Sequence, residues 1–336
     1  QAIRENVDNN NAITDIDGIA VTITDSSNVS QYTSILTAAG NGSVTGAVAD
    51  TAAALATTQN VTLTGATSVT AVISNANDLV SVQLDTEVTA IDIGTNSVTN
   101  VLLDIEDLNN GANANRTVSN TGNGGSYKIK DTATILAAND SFLEGQTVII
   151  NDSSTAATTS ELNTIQAGIA ANNAQGGGVT YTKLTGTATS LAANTADIIA
   201  GVAVTIDESG NNTPADTAEI NSLQTAVGNA AGASLTYTKV SDTSENLRAN
   251  TGDLEGKTVT VSDASNVADY GTLISAVTAN NANGTVAGAV SDAVGNLGNI
   301  TVTNATSVTA VITNATKDLT GTALDSDVTV LDISTN

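Results

Sequence analysis

Four aspartates follow short β-branched runs at matching points of the sequence, and they are the first candidates for chemistry. They are Asp25, Asp152, Asp207 and Asp263. The chain has no His and no Cys, which excludes nucleophile–histidine dyads and histidine-based metal sites. Clustered carboxylates favour a hard cation, so Ca²⁺ binding by these four is one prediction. The alternative is that each aspartate caps the helix that follows it, and the sequence favours this second interpretation.

Catalysis by paired carboxylates is the other chemistry to weigh. The densest acidic spots are residues 15–17, with Asp15 and Asp17, and residues 104–107, with Asp104, Glu106 and Asp107. A glycosidase uses two carboxylates and normally also offers aromatic platforms to the sugar. Aromatic residues make up only 2% of this chain. We therefore expect no enzymatic activity, and a ligand-binding or carbohydrate-active solenoid is the alternative.

Threonine alternates along several expected strands, for example in residues 21–24 and 61–64. Alternation places these hydroxyls on one sheet face. Aligned threonine ranks would suit an ice-binding surface, but the spacing between the strands is irregular and spoils a flat lattice. Threonine is also simply a good residue for a solvated strand. Ice binding is therefore the less favoured interpretation.

The charge of the chain restricts its partners. The net charge is −25, with nine Lys and Arg residues against 34 Asp and Glu residues. Nucleic acids and anionic membrane surfaces are bound through cationic side chains, so neither is an expected partner. No run of about 18 apolar residues occurs, and we expect no insertion into a membrane.

A long repeat organises the chain. Residues 21–32 resemble residues 259–270, residues 60–73 resemble residues 299–312, and residues 88–93 return as residues 328–333. Shorter units open at Gly145, Gly201 and Gly256. Composition supports no domain boundary. The expected organisation is a tail of a preceding repeat at 1–17, a short unit with an insert at 18–87, repeats at 88–144, 145–200 and 201–255, a copy of the short unit at 256–327, and the start of a further repeat at 328–336.

Each unit is predicted to run strand, long helix, strand, short helix. The helix near residues 216–227 should bury Ile220, Leu223 and Val227, and Asp216 with Glu219 indicates a capping box. Further helices are predicted over 98–108 and at the face formed by Leu162, Ile165 and Ile169. Second strands are predicted over 127–130, 179–184 and 235–240. The short helices should end at Asn139, Asn194 and Asn250, each in the left-handed conformation.

Helical connections of this length suit parallel strands, because parallel pairs need a crossover of about a dozen residues. Repeated right-handed crossovers build a solenoid. The predicted fold class is therefore an α/β repeat, an elongated β-rich solenoid of mostly parallel short strands with helical crossovers.

The openings of the type Val-Thr-Ile-Thr-Asp25 and the segment Tyr127-Lys-Ile-Lys-Asp-Thr-Ala-Thr-Ile-Leu-Ala-Ala-Asn139 are similar to the repeat regions of a bacterial family. The chain resembles surface-layer proteins and giant tandem-repeat cell-surface proteins exported by type I secretion. The resemblance implies an extracellular, cell-surface location and a structural or adhesive role without enzymatic activity. Members often carry calcium-binding nonapeptides, which this chain lacks.

The strand at 328–333 is apolar and carries no polar capping unit, which solenoids need at their ends. We therefore expect further copies of the chain, or covalently linked flanking repeats, as its partners. Contact with a cell surface or polysaccharide is a further expectation. Taken together, the sequence predicts a segment of a surface layer, a filament or an adhesin stalk.

Overall fold

The computed structural model describes residues 16–59, 62–79, 82–109, 115–119, 126–173, 176–210, 212–298, 302–313 and 323–333. Asp15 and most of the expected tail at 1–17 lie outside these ranges. The chain divides into two compact units, Gln1–Tyr181 and Thr182–Asn336. Each unit is described by itself below.

The first unit builds two sheets and four helices in its described part. Its strands are β1 Val21–Thr22, β2 Val44–Thr51, β3 Ala66–Val72, β4 Ala90–Asp92, β5 Val101–Leu103, β6 Thr117–Ser119, β7 Tyr127–Asp131, β8 Thr147–Ile150, β9 Ala157–Thr158 and β10 Gly178–Thr180. Its helices are α1 Val29–Ala39, α2 Ile105–Leu108, α3 Ala133–Ala138 and α4 Thr159–Ile169. The sheet orders are β1-β2-β3-β4-β6 and β5-β7-β8-β10. Short 3₁₀ turns lie at Thr57–Gln59, Asp140–Phe142 and Ala171–Asn173.

The second unit repeats this style of construction. Its strands are β11 Lys183–Gly186, β12 Ala203–Ile206, β13 Ser234–Thr236, β14 Lys239–Asp242, β15 Thr258–Ser265, β16 Thr285–Ala293, β17 Ala305–Val311 and β18 Val330–Asp332. Its helices are α5 Ala188–Ala193, α6 Thr217–Asn229, α7 Ser244–Ala249 and α8 Val267–Val277. The strand orders are β11-β12-β13 and β14-β15-β16-β17-β18. Its 3₁₀ turns are Thr195–Asp197, Thr251–Asp253, Ala279–Asn281 and Val294–Asn296.

The fold is α/β, and the paired strands within these sheets run parallel. Lys183–Gly186 pairs in parallel with Ala203–Ile206, residue for residue. The helix α5 connects these two strands, as a parallel pair requires. The prediction of parallel strands with helical connections is therefore confirmed.

The long helices bury the faces that the sequence predicts. Leu162 and Ile165 of α4 are fully buried, and Ile169 is nearly so. In α6, Ile220 and Leu223 are buried while Val227 is only half-buried. The capping box is present: the side chain of Asp216 accepts from the Glu219 amide, and the Glu219 side chain accepts from the Asp216 amide.

The predicted helix over 98–108 is wrong in most of its length. Residues 101–103 form β5, which pairs with β7, and only Ile105–Leu108 is helical. The run Val101-Leu-Leu103 is short and apolar, a pattern that periodicity alone does not assign to a helix or a buried strand. Pairing with β7, which lies 26 residues further along the chain, makes this run a strand.

The strands predicted over 179–184 and 235–240 each break in two. The break lies at Tyr181 between β10 and β11, and at Tyr237 between β13 and β14. Both tyrosines are more than nine-tenths buried. A bulky ring turned into the interior at these points ends one short strand, and the next begins two residues later.

The asparagines that end the short helices are not left-handed. Asn139 has φ −129° and ψ 37°, and Asn194 and Asn250 are similar. Each side-chain amide instead donates to the carbonyl four residues earlier, one of the acceptors that a helix C-terminus leaves open. The three distances are 2.8 Å from Asn139 to Ile135, 2.7 Å from Asn194 to Ser190 and 2.7 Å from Asn250 to Asn246.

Candidate functional site

The four aspartates predicted from the sequence lie in different settings. Asp25 is exposed beyond β1, and Asp152 is buried two residues beyond β8. Asp207 directly follows β12, and Asp263 lies inside β15. Within the described ranges, no three or more His, Cys, Asp or Glu side chains form a group that could hold a metal ion. Calcium binding by these four stays a prediction.

The interpretation of these aspartates as caps of the following helices needs correction. The N-caps of the helices that follow them are Asn28, Thr158, Asp216 and Asn266. Asp207 instead organises its own loop, where its carboxylate accepts from the Ser209 amide at 3.0 Å and from the Asn212 side chain at 3.0 Å. These hydrogen bonds lower the pKa of Asp207 below its ordinary value.

Aspartates do hold helix N-termini in this protein, but they come from a later strand. In each case a carboxylate oxygen accepts from the first amide of a helix. The pairs are Val29 to Asp50 at 3.0 Å, Ile105 to Asp131 at 3.3 Å, Thr217 to Asp242 at 3.1 Å, Ser244 to Asp263 at 2.7 Å and Val267 to Asp292 at 3.1 Å. The carboxylate satisfies a donor that the helix itself leaves open and lies at the positive end of the helix dipole. Asp263 thus supports the helix before it.

Most of these aspartates also bind the backbone with the second carboxylate oxygen. Asp50, Asp131, Asp242 and Asp292 each accept from the amide of the next residue at 2.7 to 2.8 Å. Burial raises the pKa of Asp242, but hydrogen bonds from Thr217 and Asn246 outweigh it, and the pKa lies below its ordinary value. We call these five residues, Asp50, Asp131, Asp242, Asp263 and Asp292, the strand-borne aspartates.

The acidic spot at 104–107 is also structural in its geometry. Asp104 and Asp107 form the capping box of α2, with 2.8 Å from the Asp107 amide to Asp104 and 3.1 Å from the Asp104 amide to Asp107. Both carboxylates are therefore held by backbone amides. At the other acidic spot, Asp17 contacts the Asn41 amide at 3.4 Å.

Among the described residues the most unusual group is Arg116, which no sequence pattern singled out. It is only 5% exposed. Its guanidinium donates to six backbone carbonyls, drawn from two separate stretches of chain. The distances are 3.3 Å to Leu84, 2.9 Å to Asp85, 3.1 Å to Val88, 2.7 Å to Glu106, 3.0 Å to Asp107 and 3.3 Å to Asn109.

This arrangement leaves Arg116 no donor for a ligand. A guanidinium has five N–H groups, and six carbonyls surround them here. The arginine therefore fastens residues 84–88 to residues 106–109. Because every acceptor is a backbone carbonyl, no pattern of side chains in the sequence could have predicted this site.

Asp107 carries the clearest electrostatic perturbation in the described part of the chain. Its side chain is 4% exposed. Burial and the nearby Asp104 carboxylate raise the pKa of Asp107 to about 7, against the opposing effects of the Asp104 amide and the Arg116 charge. A buried acid with such a pKa is a hallmark of functional sites, but structural networks produce it too.

Two shallow surface depressions lie around this network. One is lined by Leu79, Gln83, Asp104 and Glu106, among others. The other is lined by Gln83, Glu106, Asn109 and Arg116, among others. Neither contains an aromatic ring or a nucleophile beside a base. The arrangement can hold a loop in place. The acidic groups that line the two depressions are Asp104, Glu106 and Asp107, and Asp104 and Asp107 form the capping box of α2.

A polar cleft in the second unit is lined in part by Gln224, Tyr237, Asp253, Glu255 and Lys257. The Lys257 ammonium lies 4.3 Å from the centre of the Tyr237 ring. The Tyr237 hydroxyl donates to the Asp253 carbonyl at 3.0 Å. Burial, with the Asp253 charge, raises the pKa of Tyr237 to about 12. The ring is 8% exposed and offers little face on which a sugar could stack.

Comparison with known proteins found no match among family models, curated proteins or solved structures. None of the helices in the described ranges has the length and apolarity needed to cross a membrane. The residues with the most distinctive hydrogen bonds and burial are therefore identified from the geometry of the structure alone. They are the strand-borne aspartates, Arg116 with Asp107, and the buried tyrosines.

Proposed function

We propose that the protein is a non-enzymatic structural protein, a segment of an extracellular surface layer, filament or adhesin stalk. The observation that carries the proposal is the recurrence of one internal device, the strand-borne aspartate, at five helix N-termini. The polar groups with the most demanding geometry are directed at the protein's own backbone. This is the expected use of polar groups in a scaffold, whereas an active site directs them at a substrate.

The finer architecture belongs to the same proposal. Parallel strands joined by helices, with matching segments at 18–93 and 256–333, support an elongated solenoid built of repeats. The resemblance to surface-layer and type I-secreted repeat proteins supports the cell surface as its location. Its partners would then be further copies or flanking repeats, with contact to a cell surface or polysaccharide.

Small-angle X-ray scattering combined with negative-stain electron microscopy tests this proposal. We expect a maximum dimension well beyond that of a sphere of 33.3 kDa, and fibres or lattices when the protein is concentrated. A globular particle that stays dispersed at every concentration would contradict it. Calcium titration followed by thermal unfolding tests the metal. Only modest stabilisation is expected, because binding stabilises a fold by the logarithm of occupancy.

The second candidate function is ligand binding, and the cleft around Tyr237 and Lys257 is the observation that favours it. The cleft combines an acid, an amide and an ammonium group, which could hydrogen-bond a sugar. Glycan-array binding that Lys257→Ala abolishes, while Lys239→Ala leaves it intact, would favour this candidate over a purely structural role.

A further inference from the structure

The backbone around β18 repeats the backbone around β4. Both strands pair with the preceding strand in the same register: Ala71 faces Ile91, and Ala310 faces Leu331. The Thr89 hydroxyl bonds the Val69 amide at 3.1 Å and its carbonyl at 3.2 Å. Thr329 makes the same two contacts with Val308, at the same distances. Residues 84–93 and 324–333 therefore present the same template.

In the first unit this template is covered. β6 pairs with β4 in parallel, with Ile91 opposite Val118. The Thr117 amide donates to the Thr89 carbonyl, and the Ile93 amide donates to the Ser119 carbonyl, each at 3.1 Å. Arg116 adds its bonds to the carbonyls of residues 84, 85 and 88. Ile91 and Ile93 are fully buried as a result.

In the second unit, no described residue covers this template. Among the described strands, β18 pairs only with β17. Leu331 and Ile333, which correspond to Ile91 and Ile93, are 53% and 64% exposed. Val330 beside them is 45% exposed. An apolar strand edge of this kind is a template for another strand.

We propose that the edge of β18 binds, in parallel, an extended segment with an arginine directly before a short β-branched strand, the chemistry of residues 116–119. The source is another repeat of this same kind. Strand addition of this type draws affinity from backbone hydrogen bonds and specificity from side-chain pockets. The edge is acidic, with Asp325, Asp327 and Asp332 nearby, so an incoming arginine complements its charge. The inference rests on the proposed structural role, because a repeat array supplies such segments.

A synthetic peptide of residues 104–119, added to the full chain, tests the proposal. Amide hydrogen exchange at Leu331 and Ile333 should slow by about tenfold or more, because the corresponding Ile93 amide is bonded to β6. A peptide with Arg116→Ala should bind about tenfold more weakly, since it loses charge-assisted hydrogen bonds. In the protein, Leu331→Asp should abolish binding, and Ile199→Asp, at another exposed apolar site of the same unit, should leave it unchanged.

Three outcomes would overturn the proposal. The first is unchanged exchange at Leu331 and Ile333 in saturating peptide. The second is equal binding of the Arg116→Ala peptide, which would remove the arginine from recognition. The third is concentration-dependent protection of β18 that saturating peptide does not displace, which would mean that a surface other than residues 116–119 occupies the edge. Scattering and microscopy use the protein alone, so a failed peptide experiment leaves the proposed structural role standing, and the reverse also holds.

Discussion

Residues 18–93 of the first unit and residues 256–333 of the second share a set of internal contacts and differ at their borders. The Tyr32 hydroxyl donates to the Val44 and Thr64 carbonyls, each at 3.1 Å. Tyr270 does the same with Val286 at 3.0 Å and Thr303 at 3.4 Å. Asp50 and Asp292 hold the first amides of α1 and α8. The shared contacts are those that tie side chains to the backbone.

The differences lie where each segment meets the rest of its unit. β1 has two residues, whereas the corresponding strand β15 has eight and pairs with β14 as well as β16. α1 ends at Ala39 with Gly40 as its C-cap, while α8 ends at Val277 and the 3₁₀ turn Ala279–Asn281 follows its C-cap, Thr278. At the other side, β4 has β6 and Arg116 beside it, whereas no described residue takes either place beside β18. The same side-chain-to-backbone contacts are therefore compatible with different neighbouring strands and helices.

Arg116→Ala should produce the largest effect, and only in the first unit. Removal of the guanidinium leaves buried carbonyls without donors, and breaking such a network costs about 3–5 kcal/mol. Residue-resolved hydrogen exchange should show faster opening of residues 84–93. Residues 324–333 serve as the internal control. Equal loss of protection in both units would mean that the arginine acts on the whole chain.

The pH dependence of stability should also separate the two units. The pKa of Asp107 is raised to about 7 in the folded state, so this carboxyl binds its proton more tightly there than in the unfolded chain. Its stabilising effect is present below its ordinary pKa and is lost as pH rises through about 7. From about pH 5 to about pH 8 the first unit should lose about 2–3 kcal/mol.

Asp107→Asn should flatten this dependence, because the amide does not titrate. The matched control is Asp17→Asn, at an exposed carboxyl in the same unit, which should leave the slope intact. Urea denaturation monitored by hydrogen exchange at several pH values measures both. An unchanged slope in Asp107→Asn would refute the assignment to this group.

Tyr32→Phe and Tyr270→Phe should have matching effects. Each removes one buried hydroxyl that donates to two carbonyls, at a cost of about 1–2 kcal/mol. The measurement is the loss of exchange protection in β2 for the first variant and in β16 for the second. Clearly unequal losses of exchange protection would show that the tyrosine hydroxyl stabilises the two segments to different extents.

Asp50→Asn and Asp292→Asn should have the smallest effects, about 0.5–1 kcal/mol each. The amide keeps an acceptor oxygen for the helix but loses the charge that favours the helix N-terminus. Circular dichroism during thermal unfolding, at low and high salt, measures the loss. The difference from the unmodified protein should shrink as salt screens the charge. Asp327→Asn, where the carboxyl holds no helix, is the matched control.

The sequence predicted the parallel α/β class and the capping box at Asp216, because both depend on local pattern. Sequence-based prediction was wrong where the structure depends on contacts between residues that are distant in the sequence. Val101–Leu103 became a strand through β7, and the aspartates that hold helices belong to later strands. Arg116 was invisible for the same reason: its acceptors are carbonyls, which every residue carries. The candidate residues Asp25, Asp152 and Asp207 matched in sequence position but occupy different environments.

The strand-borne aspartates also set an order of events during synthesis. Each helix start waits for a carboxylate that lies 19 to 26 residues further along the chain. In a chain made from its N-terminus, the first amide of each such helix therefore lacks this acceptor until the strand that carries it has been made. Structure should advance along the chain with a lag of 19 to 26 residues, and a stalled chain should end in a frayed helix.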